Sequence, residues 1–311
     1  MRFWYLVLAV LYIIHSPAWA WGRRGHSIVC QNAAYLVASE PKAFFLKNHS
    51  FDLGYYCNVP DLIWKEPPTN KLESFNHYFN REAFERTIGA DKLPAALALD
   101  RKTFNKTYPQ ADEKWGQVYW RIREMSDKLY SLRDKLKEAK KDEQRPLQDQ
   151  WLQTAGFLGH YVGDMSMPLH VTENHDGALT QQKGIHSFYE DVLVNELAQD
   201  GDFHLEGEVA KEAIKRWAKD RERLRKKTVL ELLQDMTAES SANAKRLLQT
   251  DRDTGRDIAK AKKAHRAMIV KNLAMGSVYL AEFYRRGVGF DFDDDRFFMF
   301  SGTPEFVPVV K

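Results

Sequence analysis

Residues 158–170 read Leu-Gly-His-Tyr-Val-Gly-Asp-Met-Ser-Met-Pro-Leu-His, and this stretch decides how the chain is organised. His160 and Asp164 stand four apart, so on an α-helix both side chains leave by one face. The run leading into them, residues 147–162, carries apolar side chains at three- and four-residue steps, the period of a helix with one buried stripe. Pro168 ends that helix and leaves His170 on the following turn, where it can look back toward the His160–Asp164 face. Soon afterwards Gly184-Ile-His-Ser-Phe-Tyr-Glu190 repeats the device, with His186 and Glu190 again i and i+4 on a new helix. Imidazole and carboxylate donors without a thiolate suit zinc in an open, catalytic site rather than a closed structural one. One such pair arises easily by chance on a helix surface. Two pairs flanking a Pro-Leu-His turn do not.

The same period recurs outward from this centre, over residues 28–38, 115–139, 189–198, 209–217, 229–248 and 259–284. Alternating strand-like runs with hairpin dipeptides are nearly absent, and Lys, Glu, Arg, Ala and Leu dominate long stretches. The expected fold is all-α. Residues 127–150 interleave charges of both signs, which predicts a solvated helix ending before Pro146 rather than a nucleic-acid patch. The tail from Arg285, with an acidic run at 291–295 and Phe297-Phe298-Met299-Phe300, is expected to pack over the helices.

The N-terminus has the pattern of an export signal. Arg2 precedes an apolar run from Phe3 to Ile14, Ser16-Pro17 breaks it, and Ala18-Trp19-Ala20 fits a cleavage site after Ala20. The run is short for a membrane span, although a retained anchor is the alternative. The expected location is therefore periplasmic or extracellular, with residues 21–311 forming one domain that is not integral to the membrane. Loss of residues 1–20 removes only Arg2 among charged residues and takes the formal charge of +3 to +2. So near-neutral a chain has no global basic field to attract nucleic acid and none to repel it. Cys30 and Cys57 could pair in an oxidising compartment or remain buried thiols.

Cleavage after Ala20 would make Trp21 the first residue of Trp-Gly-Arg-Arg-Gly-His26. A free α-amino group can ligate a metal, with the Trp21 carbonyl closing a chelate and the glycines letting His26 reach the same ion. Taken alone, His26 at a helix start reads more often as a capping or surface residue. Asp61 after Pro60 could cap a helix, and His77, among aromatics in Phe75-Asn-His-Tyr-Phe79, could be a hydrogen-bonded core histidine. His49, His175, His204 and His265 lack partners at useful spacing and read as surface or core residues.

With these residues in place, the chain resembles the secreted trinuclear-zinc nucleases that prefer single strands, and their superfamily relatives, the zinc-dependent phospholipases C. Trp-Gly-x-x-Gly-His and Gly-Asp-Met-x-x-Pro-Leu-His match the nuclease branch, and the likeness runs from Trp21 to Glu190. It implies a multi-helix fold with a zinc cluster in a cleft between helices. It further implies three zinc ions. Asp61, His77, His160 and Asp164 would hold one; the Trp21 amino and carbonyl groups, His26 and a bridging Asp164 a second; and His170, His186 and Glu190 the third. Asp61 and Asp164 would be the catalytic carboxylates, with Asp61 orienting the attacking water.

Several departures bear on the substrate. Glu190 stands where the nucleases usually have Asp and the phospholipases usually Glu. The Gly-Gly-Asn stretch of the nucleases is replaced by Glu-Asn-His-Asp-Gly-Ala. Trp64 holds the place of a basic residue, with Lys65 beside it. Tyr78 stands where an aromatic stacks a base, an interaction worth about 1–3 kcal/mol with any base, and Asn80 where an Asp reads one. The expected substrate-binding residues are Tyr78, Asn80 and Lys65. Three functions follow: an endonuclease on RNA and single-stranded DNA, a phospholipase C on lipid head groups, and a non-catalytic zinc-binding interaction protein. No stable protein partner is expected.

Overall fold

The computed structural model describes residues 21–293 and 304–309; the expected export signal at 1–20 and the aromatic run at 297–300 lie outside the described residues. The architecture is helix on helix, and no strand occurs among the described residues. The principal helices are α1 (Gly22–Val37), α2 (Ser50–Tyr56), α3 (Asn70–Glu73), α4 (Val118–Glu138), α5 (Lys141–Ser166), α6 (Leu205–Arg225), α7 (Val229–Thr254) and α8 (Ile258–Gly287).

Helix α8 is the axis, packing against α1, α5, α6 and α7. Its second half is buried all round, from Asn272 to Tyr284, as befits a helix enclosed by others. Local chemistry sets the ends. Thr228 and Glu231 form a reciprocal capping box before α7, Gly255 closes α7 in the left-handed conformation, and Asp257 accepts from the Lys260 amide to open α8.

Two features differ from the sequence expectation. The charged helix stops at Glu138, eight residues short of Pro146, because Ala139 turns extended (φ −66°, ψ 136°). A new helix starts at once, with the Glu143 side chain accepting from the Lys140 amide, and Pro146 falls in an early turn of α5. The second His–acid pair does not lie on one regular helix either. His186 is in the short helix Ile185–Ser187, and Glu190 is in a π-helical turn, Phe188–Val192.

Close approach of α1 and α2 to α5 depends on glycine. A Cβ at Gly156 would collide with Tyr56, one at Gly159 with Cys30 Sγ, and one at Gly163 would lie 2.8 Å from His26 Nδ1. Cys30 and Cys57 form a disulfide at this junction. The chain after α8 folds back as expected, with Phe292 stacked on Phe45 at 4.2 Å and Phe290 edge-on to Trp151 at 5.5 Å.

Candidate metal centre

Each candidate ligand is delivered by a different local device. His160 and Asp164 sit one turn apart on α5, and His26 lies in the first turns of α1. Asp61 and Glu190 both occupy π-helical turns, Pro60–Trp64 and Phe188–Val192. A π turn inserts one residue and re-aims the side chains after it, and such turns recur at functional sites. His77 closes the 3₁₀ turn Ser74–His77, and His170 lies in the 3₁₀ turn Pro168–Val171 that Pro168 begins.

The side chains converge in three groups that could each hold a metal ion. In the first, His160 Nε2 lies 2.9 Å from His77 Nδ1, 3.3 Å from Asp164 Oδ2 and 3.6 Å from Asp61 Oδ1. His77 Nδ1 is 3.1 Å from Asp164 Oδ2 and 3.5 Å from Asp61 Oδ1. In the second, His26 Nε2 is 3.6 Å from Asp164 Oδ1, and its ring stacks on His160 at 4.0 Å. In the third, His186 Nε2 lies 3.0 Å from both His170 Nε2 and Glu190 Oε2, which are 3.6 Å apart. His160 belongs to both of the first two groups, and Asp164 lies between them, Oδ1 toward His26 and Oδ2 toward His77 and His160.

Trp21 is fully buried with φ 48°. Its indole nitrogen donates to the Gly163 carbonyl at 2.9 Å and to Ser166 Oγ at 3.0 Å, locking it against α5. Its backbone nitrogen donates to Glu190 Oε2 at 3.2 Å, so it meets the third group, and its carbonyl accepts from the Gly25 amide.

The donor set fits zinc on three counts. Four ligands at 2.0–2.1 Å in a tetrahedron stand about 3.3 Å apart, and the distances within the first and third groups bracket that value. Backbone carbonyls also fix the tautomers. Cys57 O accepts from His160 Nδ1 at 2.7 Å, His77 O from His170 Nδ1, and His175 O from His186 Nδ1 at 3.0 Å. A carbonyl can only accept, so each ring keeps its Nε2 lone pair for an ion. Finally, Asp164 Oδ1 and Glu190 Oε1 are buried without a hydrogen bond. Buried carboxylate oxygens of that kind call for a cation.

Electrostatics agree for three of the imidazoles. Burial pushes His77 and His160 well below the ordinary imidazole range and His170 down to about 4, which keeps them neutral donors. His186 is raised; burial opposes its charge, but the Glu190 carboxylate outweighs it. Asp164 is driven far up, first by burial and then by the Asp61 carboxylate. Asp61 goes the other way: burial opposes ionisation, yet Lys65 and His77 bring it below the carboxylate range.

The expected substrate residues are placed unequally. Lys65 puts its ammonium 2.5 Å from Asp61 Oδ1 with about 21% of its side chain exposed, whereas Trp64 is buried against Phe157. Tyr78 is half-buried, its hydroxyl donating to the Lys114 carbonyl, and burial raises it to about 12. Asn80 starts a helix, with its Oδ1 buried and without a hydrogen bond. Among the other histidines, His49 pairs with Asp52 at 2.9 Å and His265 is buried edge-on to Tyr189.

Sequence reasoning missed Glu73. Its carboxylate lies 3.1 Å from His77 Nε2, and the spacing Glu73-x-x-x-His77 is the same i, i+4 device used elsewhere. The glycines of α5, at steps of three and four, are a second signal that the sequence carries.

A family model described as S1/P1 Nuclease matches residues 21–287, which spans every candidate ligand from Trp21 to Glu190. No curated protein matches the chain.

Proposed function

The chain belongs to the S1/P1 nuclease family, zinc-dependent phosphodiesterases, and on that footing we propose that it is an endonuclease cutting RNA and single-stranded DNA with three zinc ions. The observation that carries this reading is that two adjoining groups meet at His160 and Asp164, Asp164 Oδ1 lying 3.6 Å from His26 Nε2 and Oδ2 3.1 Å from His77 Nδ1, with a third group at His170, His186 and Glu190. Asp61, His77, His160 and Asp164 would hold one ion. The Trp21 amino and carbonyl groups, His26 and Asp164 would hold a second, and His170, His186 and Glu190 the third. Zinc, when bound, supplies the Lewis acidity and water activation that phosphodiester hydrolysis requires near neutral pH.

The chain's own residues divide the remaining work. Asp61, kept ionised by Lys65, is placed to accept a hydrogen bond from the attacking water and orient it. Lys65 can also turn its ammonium to a phosphate oxygen at the exposed edge of the site. The carbonyls of Cys57, His77 and His175 hold the imidazoles in the ligating tautomer. Tyr78 offers a face on which any base can stack, and Asn80, whose oxygen is buried, would have to turn it outward to accept from a base edge. Export with cleavage after Ala20 belongs to the same reading, since it frees the Trp21 amine at a position already buried beside Glu190.

The test is hydrolysis of RNA, single-stranded DNA and phosphatidylcholine by protein beginning at Trp21, at equal zinc. Cleavage of both nucleic acids is expected. Hydrolysis of the lipid alone would replace this reading with a phospholipase C, and no hydrolysis by fully zinc-loaded protein would leave a zinc-binding protein without catalysis.

A further inference from the structure

We propose that Glu73 is a positioning residue for His77 and that the C-terminal segment 304–309 holds it in place through Arg121. The proposal rests on the reading of His77 as a metal ligand. His77 differs from His160, His170 and His186, because no backbone carbonyl orients its outer nitrogen. For Nδ1 to face Asp61, His160 and Asp164 with its lone pair, the proton must sit on Nε2. The group beside Nε2 is Glu73 Oε1 at 3.1 Å, within reach though not aligned for an ideal hydrogen bond.

Glu73 is fully buried and does little but serve as a hub. Oε1 also accepts from the Tyr161 hydroxyl, while Oε2 accepts from Asn76 Nδ2 at 3.1 Å and Arg121 Nη2 at 3.3 Å. Tyr161 follows His160 on α5, so the hub touches both the first metal group and the helix that carries it. Arg121 is fully buried as well. Its guanidinium lies over the rings of Trp64, Tyr161 and Phe306 at 5.7, 5.4 and 5.7 Å, and Nη2 donates to the Val307 carbonyl at 2.9 Å. The same segment accepts from Trp64 Nε1 at Pro304 O, and Phe306 meets Trp64 edge-on at 5.4 Å. A buried guanidinium must have its donors satisfied and its position shared with a carboxylate. Residues 304–309 supply an acceptor and one of the ring faces. The chain Val307–Arg121–Glu73–His77 thus runs from the C-terminal segment to one metal group, while the His170–His186–Glu190 group meets it at the His77 backbone carbonyl, which accepts from His170 Nδ1, and not at Glu73.

Carboxylates oriented behind a metal-bound imidazole typically contribute 10–100-fold in metal affinity. The experiment measures bound zinc per chain against graded chelator for the full mature protein, Glu73→Gln, Glu73→Asp, and a chain ending at Thr303. Glu73→Gln and the truncated chain should lose one zinc at about 10–100-fold lower chelator, with the other zinc retained as in the parent. Glu73→Asp should recover part of the affinity. A merely structural role would instead weaken all ions together. Zinc retention equal to the parent in both Glu73→Gln and the truncated chain overturns the proposal. Should Glu73→Gln fail to fold, parental retention by the truncated chain overturns it alone. A parent that binds no zinc removes the metal-ligand reading itself, which is a distinguishable failure.

Discussion

At the scale of the residue, several candidate donor atoms are arranged as metal ligands by the protein itself. Burial keeps His77, His160 and His170 neutral, and carbonyl acceptors choose which nitrogen of His160, His170 and His186 carries the proton. Asp164 is the least replaceable, because one carboxylate contacts His26 through Oδ1 and His77 and His160 through Oδ2. His160→Ala and Asp164→Asn should each lower phosphodiesterase activity by at least about 100-fold, beyond the usual effect of an outer-shell change, and should each reduce bound zinc. His49→Ala, on a histidine paired with Asp52 away from these groups, should leave both unchanged. Elemental analysis beside a bis-p-nitrophenyl phosphate assay decides it; a metal-replete, active His160→Ala would falsify the assignment.

At the scale of the element, α5 presents a glycine stripe and a ligand pair from adjacent positions. Gly159 and Gly163 directly precede His160 and Asp164, so the surface that lets α1 approach also sets the depth of these candidate ligands. Gly159→Ala would press a methyl onto Cys30 Sγ of the disulfide. Overpacking of this kind costs about 1–3 kcal/mol, read as a drop in the urea midpoint at unchanged m-value. An equal or higher midpoint would mean that α1 can move aside freely. Helix α8 carries a different liability in His265, fully buried, with both ring nitrogens lacking a hydrogen bond. Burial lowers it to about 4, so the folded chain refuses a proton that the unfolded chain accepts below its ordinary value. The stability this neutral histidine allows is complete above about pH 6.5 and is lost as pH falls toward 4, by up to about 3 kcal/mol. Metal-free His265→Phe should therefore be less acid-sensitive than the metal-free parent in urea melts at pH 7 and 4.5. Parallel losses would show that His265 is not the cause.

At the scale of the whole molecule, the fold gathers Asp61, Glu73, Asp164 and Glu190 into one interior, with Lys65 and Arg121 as the cations beside them. That arrangement is poised for further positive charge, so metal should stabilise the chain as well as activate it. A ligand at a thousandfold excess over its Kd adds about 4 kcal/mol per site. Removal of metal by a strong chelator should abolish phosphodiester hydrolysis and lower the melting temperature by several degrees, and added zinc should restore both. Hydrolysis that persists after complete metal removal would overturn the mechanism. Identical melting with and without metal would show that the carboxylates are satisfied by protein cations alone.

Helical period, the His160–Asp164 and His186–Glu190 spacings and the Pro168 stop were legible in the sequence, because i, i+4 geometry and proline restriction act within a few residues. The all-α class and the list of donor types followed from them. Other features depended on contacts between distant segments. These are the break at Ala139, the π turns that re-aim Asp61 and Glu190, the tautomers chosen by the Cys57, His77 and His175 carbonyls, the Cys30–Cys57 pairing, and the hub at Glu73. Local spacing names the side chains a helix can present together; only packing, through burial and long-range hydrogen bonds, decides which nitrogen keeps its lone pair and which carboxylate is left needing a cation.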